Sequence, residues 1–203
     1  MKNRNFEPQL PEGYKEALHI DAKNAKTGII MNFASLLILG VVMAIAYLPI
    51  KLNDVDLWLG LNYENPAESM IVMLVFCFAM IAYIVMHELV HGIAYKWLTG
   101  ERLAFGISWS CAFCGVPHIY SYRKTAIISS AAPLVVFSLI FGAVTVALYF
   151  VSPVYYLLSA VIFGLHLGGC SGDMYIILML LKYKDPRVLM RDTGPEQFIY
   201  IPY

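Results

Sequence analysis

At 203 residues, 60% hydrophobic and 14% charged, with a mean hydropathy of +0.67, the chain has too little charged surface for an ordinary soluble domain and reads as an integral membrane protein. Its 14 Lys and Arg balance 14 Asp and Glu. Without a net basic patch, no nucleic-acid partner is expected. Cys77, Cys111, Cys114 and Cys170 are scattered, form no extracellular disulfide framework and are expected to stay reduced.

Residues 1–27 are polar, mixing Lys2, Arg4, Lys15, Lys23 and Lys26 with Glu7, Glu12, Glu16 and Asp21, while Pro8, Pro11 and Gly13 interrupt any early helix. They read as a cytoplasmic tail with no cleavable signal peptide. Residues 28–50 are apolar and, at about 1.5 Å per residue, long enough to cross a hydrocarbon core of about 30 Å. A polar loop holding Asp54, Asp56 and Glu64 follows, and Asn65-Pro66 opens a second span over 69–98, which Gly100 stops. Residues 102–122 are rich in aromatic and β-branched types but broken by Gly106, Gly115 and Pro117, the pattern of a short hairpin or re-entrant loop at the membrane surface. Cys111-x-x-Cys114 and His118 lie in it without a fourth ligand, so the cysteines read as packing residues rather than a second metal site.

A third span is expected over 125–150, a turn at Ser152-Pro153, and a fourth span over 154–181. Residues 182–203 form a second polar tail, in which Phe198-Ile199-Tyr200-Ile201 leaves a short strand open. The expected architecture is thus an all-α integral membrane protein, a single domain of four transmembrane helices with a hairpin or re-entrant loop between the second and third. Basic residues gather in the first tail, in the connection from span two to span three and in the last tail, whereas the other two loops hold only Lys51. The positive-inside rule then places both termini in the cytoplasm.

Within the second span stands His87-Glu88-Leu89-Val90-His91. Histidines four apart project from one helix face about one turn apart, as two imidazole ligands of one zinc ion require, and the glutamate between them reaches water at the metal. Ionisable side chains inside an apolar span are costly and point to function. Two histidines do not complete a zinc site, because catalytic zinc usually takes three protein ligands and keeps one position open. The third comes from His166 or Asp173, both in the fourth span. Asp173 is favoured, since it lies at the depth of His87 and His91 and its charge offsets that of the metal. His166 lies about 10 Å deeper and suits a place behind the ligands or facing substrate. Gly164, Gly168 and Gly172 recur every fourth residue and allow close helix approach, with Gly169 one turn before Asp173. Gly169 and Gly172 are therefore candidate supporting or substrate-facing positions.

His87-Glu88-Leu89-Val90-His91-Gly92, Ala131-Ala132-Pro133-Leu134 and Asp173 in a glycine-rich later span resemble the site-2 protease class of intramembrane zinc metalloproteases. With Leu10-Pro11-Glu12-Gly13-Tyr14 at its start, the whole chain is more similar still to a family of small four-span membrane zincins. The resemblance implies His87, His91 and Asp173 as Zn2+ ligands, Glu88 as catalytic acid and base, and a peptide or transmembrane-protein substrate cut near the cytoplasmic face, in contact with membrane lipid. The competing reading is a non-proteolytic zinc carrier or sensor built on the same ligands, although no polar track across the spans and no internal repeat support a transporter.

Overall fold

The structure is a computed structural model and describes residues 5–53, 66–107 and 112–203. Its elements in chain order are β1 (Phe6–Glu7), β2 (Tyr14–Asp21), α1 (Ala25–Leu52), α2 (Pro66–Thr99), β3 (Ala104–Ile107), β4 (Ala112–Gly115) and β5 (Tyr120–Tyr122). There follow α3 (Arg123–Tyr149), α4 (Pro153–Gly169), α5 (Ser171–Lys182), β6 (Leu189–Asp192) and β7 (Glu196–Pro202). Lys2, Arg4, Asp54, Asp56, Glu64, Asn65 and Cys111 lie outside the described residues.

Asn24 caps α1 by accepting from the Lys26 and Thr27 amides, which an N-terminal helix turn otherwise leaves without partners. Gly100, at φ +73°, ends α2 by adopting the left-handed conformation that side chains disfavour. Ala25–Leu52, Met73–Thr99 and Arg123–Tyr149 are each long and apolar enough to cross a membrane. Large apolar side chains such as Ile29, Phe33, Phe78 and Leu139 are exposed on them, as expected where the solvent is lipid. α3 lies centrally, packed on α2, α4 and α5, and α1 packs on α4.

The expected fourth span over 154–181 is not one straight helix. α4 and α5 are separate helices bent by 43° at Cys170, and pass as membrane-crossing only when taken together. Gly168, Gly169 and Gly172 crowd this point with the residue least suited to helix interiors, so little resists a break. Two glycines of the ladder, Gly164 and Gly168, set α4 against α1. A side chain at Gly164 would meet Leu39, and one at Gly168 would come within 2.8 Å of the Ser35 carbonyl oxygen, so both pack α4 on α1 rather than on the histidine helix. Ser35 Oγ closes the contact by donating to the Gly168 carbonyl at 2.7 Å.

The all-α expectation is corrected as well. The two polar tails form most of a five-stranded antiparallel sheet in the order β1-β5-β6-β7-β2, and the expected hairpin between α2 and α3 is present as the antiparallel pair β3 and β4. β2 pairs with β7 from Tyr14↔Pro202 to Asp21↔Glu196, some 180 positions apart in the chain. One sheet face is apolar: Ile20, Val188, Met190 and Ile199 pack with Ala126 at the start of α3 and with Ile176 and Leu180 of α5. That core fixes the sheet to the end of the helical layer where α2 finishes and α3 begins. A Gly168→Ala substitution, pressed against backbone, is expected to lower the thermal unfolding midpoint in detergent by several degrees, for a cost of about 1–3 kcal/mol. Gly40→Ala, which meets open space, should leave the midpoint unchanged or slightly raised.

Candidate metal centre

The i, i+4 spacing on α2 places His87 and His91 on one face, their rings 5.0 Å apart. Asp173, in the first turn of α5 just past the break, faces both: Oδ2 lies 3.3 Å from His87 Nε2 and Oδ1 lies 3.3 Å from His91 Nε2. One donor atom from each of the three falls within 4.8 Å of the others. The carboxylate is 15% exposed, and among the described residues its ion-pair partners are these two histidines, with no Lys or Arg.

Each imidazole is oriented from its far side. The His91 Nδ1–H donates to the Ser129 carbonyl at 2.8 Å. That carbonyl is free to accept because residue 133, four positions on, is proline, which has no N–H to complete the helical bond. A carbonyl only accepts, so Nδ1 carries a proton, and Nε2 is the nitrogen turned toward Asp173. His87 Nδ1 lies 3.2 Å from the Tyr83 hydroxyl.

These residues border a cavity of about 750 Å³ whose wall also includes Glu88, Tyr95, Gly169, Gly172 and Asp192. Gly92 admits the hairpin beside the motif, since a side chain there would strike Phe105, Leu103 and Cys114.

The family described as "Putative zincin peptidase" (DUF3267) matches residues 80–187. The chain belongs to this family. Neither the curated proteins nor the solved structures contain a match. Zincin membership supports a metallopeptidase with a zinc cofactor, and the donor set suits that ion: two imidazole nitrogens and one carboxylate, the histidines held from behind.

Asp173 rather than His166 faces both motif histidines. His166 is fully buried, does not border the cavity, and groups instead with His87 and Cys170. Gly169 and Gly172 lie on the cavity wall with nothing within 4 Å of where a side chain would begin. Cys114 is buried in β4, and that burial pushes its thiol up to about 12, so it is protonated at neutral pH. His118 is exposed, and among the described residues neither joins a metal-binding group.

Sequence reasoning missed what the sheet supplies. Tyr95, one turn beyond His91 and 1% exposed, donates to Asp192 Oδ2 at 2.8 Å, and the Gly194 amide donates to Asp192 Oδ1 at 2.9 Å. Burial raises the Asp192 carboxyl to about 6, held from going higher by those donors. This link ties the β6–β7 turn to the histidine helix and so closes one wall of the cavity. The repeat Tyr83, His87, His91, Tyr95 at four-residue intervals was the available signal.

Pro133→Ala tests how His91 is oriented. The new N–H competes for the Ser129 carbonyl, so zinc affinity is expected to fall about tenfold in a chelator competition, with thermal stability equal or higher. Unchanged affinity would show that the proline does not free that carbonyl.

Proposed function

We propose that the chain is a zinc-dependent intramembrane metalloprotease of the site-2 protease type. The observation that carries this reading is the meeting of His87, His91 and Asp173 from two helices on a cavity that also receives Glu88. His87, His91 and Asp173 hold zinc, which when bound supplies a Lewis acid to activate water and polarise the scissile carbonyl. Glu88 takes the proton from the attacking water and delivers it to the leaving amine. The cavity admits the peptide and water beside the histidine helix, and its glycine wall at Gly169 and Gly172 leaves room for a peptide backbone.

The topology follows from the same reading. The sheet draws both terminal segments and the connection between α2 and α3 into one body, which supports placing all three on one side of the membrane. Their basic residues make that side cytoplasmic, and the bent α4–α5 pair then serves as the fourth crossing. Substrates are peptides or transmembrane proteins cut near this face, the latter after local unwinding frees a backbone carbonyl from its helix.

Glu88→Gln separates proteolysis from zinc carriage or sensing. The variant is expected to bind zinc in the same ratio as the native protein, while Glu88-dependent fragments detected by mass spectrometry of the membrane proteins fall by about 10²–10⁴-fold. Fragments that persist at the native level would exclude Glu88 as the acid and base.

A further inference from the structure

His166 is a fully buried imidazole between apolar helices, and the proposed hydrolysis gives it no part. Both its nitrogens are engaged. Nδ1 lies 2.7 Å from the Tyr83 hydroxyl and Nε2 lies 3.1 Å from Ser138 Oγ. Tyr83 in turn lies 3.2 Å from His87 Nδ1, so a single hydroxyl joins the two histidines.

The directions of these bonds follow from what each atom is able to do. Tyr83 has one proton for two ring nitrogens and gives it to the closer, His166 Nδ1, which leaves the His166 ring proton on Nε2, toward Ser138 Oγ. With its proton committed, the Tyr83 oxygen accepts from His87 Nδ1–H, and the bare nitrogen of His87 is Nε2, which faces Asp173. His91 has its Nδ1 proton held more directly, by the Ser129 carbonyl.

We propose that Tyr83 and His166 are positioning residues: the one-way chain His87 to Tyr83 to His166 holds His87 with Nε2 bare and turned to the zinc. This rests on the zinc reading of His87, His91 and Asp173. The donor atoms of His87, His166 and Cys170 also lie within 4.8 Å of one another, but Tyr83 bonds both imidazoles there, and Cys170 Sγ is 3.7 Å from His166 Nδ1. The hydroxyl therefore takes the role a second cation would otherwise fill.

The test uses the purified full chain in detergent, with zinc affinity read by competition with a chromophoric chelator. Tyr83→Phe keeps the ring edge on Phe137 and its contact with Phe141 while removing the hydroxyl, and is expected to weaken zinc binding about 10- to 100-fold. His166→Leu should also weaken it, and the double variant should be no weaker than Tyr83→Phe alone, because His166 acts only through that hydroxyl. Ring-nitrogen NMR of the 15N-histidine-labelled native protein should find the proton on Nδ1 of His87 and on Nε2 of His166. Native affinity in Tyr83→Phe, complete loss of binding in it, multiplying effects in the double variant or reversed ring protons would each overturn the chain. So would a second zinc ion per chain that Cys170→Ser removes. A native protein that binds no zinc overturns the zinc reading and the chain together, whereas native and Tyr83→Phe proteins binding it equally overturn the chain alone.

Discussion

The structure depends on one carboxylate, Asp173, held where no lysine or arginine among the described residues answers its charge. An ionised group in a largely apolar setting is costly unless paired, and Asp173 meets the two imidazoles of His87 and His91. The two carboxylate oxygens and the two Nε2 atoms converge, an arrangement that a divalent ion would satisfy at once. The break at Cys170 makes this meeting possible. It turns α5 by 43° from α4 and sets Asp173 in a first helical turn directed at α2, while Gly164 and Gly168 keep α4 against α1.

The rest of the fold holds the two histidines still. α3 contributes a carbonyl that its own proline leaves without a helical partner, and that carbonyl fixes His91. His87 is served by Tyr83 from within α2. From the other side, the sheet brings Asp192 to Tyr95, so that the helix carrying the motif is tied at both ends of its polar face. Helix, proline and sheet act on one narrow stripe of α2, and the cavity lies in front of that stripe.

Much of this was legible in the chain. Long apolar runs mark the membrane helices because the bilayer sets a minimum length, and the motif marks the metal face because helical geometry sets a four-residue repeat. Asp173 stood out as a carboxylate without a countercharge. The sheet was hidden for a physical reason. β2 and β7 each alternate weakly, β7 buries the polar Gln197, and their pairing joins residues 14–21 to 196–202, a separation no local pattern encodes. The break at Cys170 was hidden too, because hydropathy continues across it while only the glycine density hints at a bend. Tyr83 and Tyr95 extended the histidine repeat by one step each way, yet tyrosines at helical spacing look like ordinary packing until their hydroxyls are seen to find partners.

The central claim is that one zinc ion is held by residues of two helices distant in the chain. X-ray absorption at the zinc edge of the purified, zinc-loaded protein tests it most directly. The account predicts two imidazole nitrogens and carboxylate oxygen at about 2.0–2.2 Å, with the imidazole signature weakened in His91→Ala and the oxygen shell altered in Asp173→Asn. A sulfur shell at about 2.3 Å would assign the ion to Cys170 instead, and a spectrum unaffected by Asp173→Asn would contradict the claim.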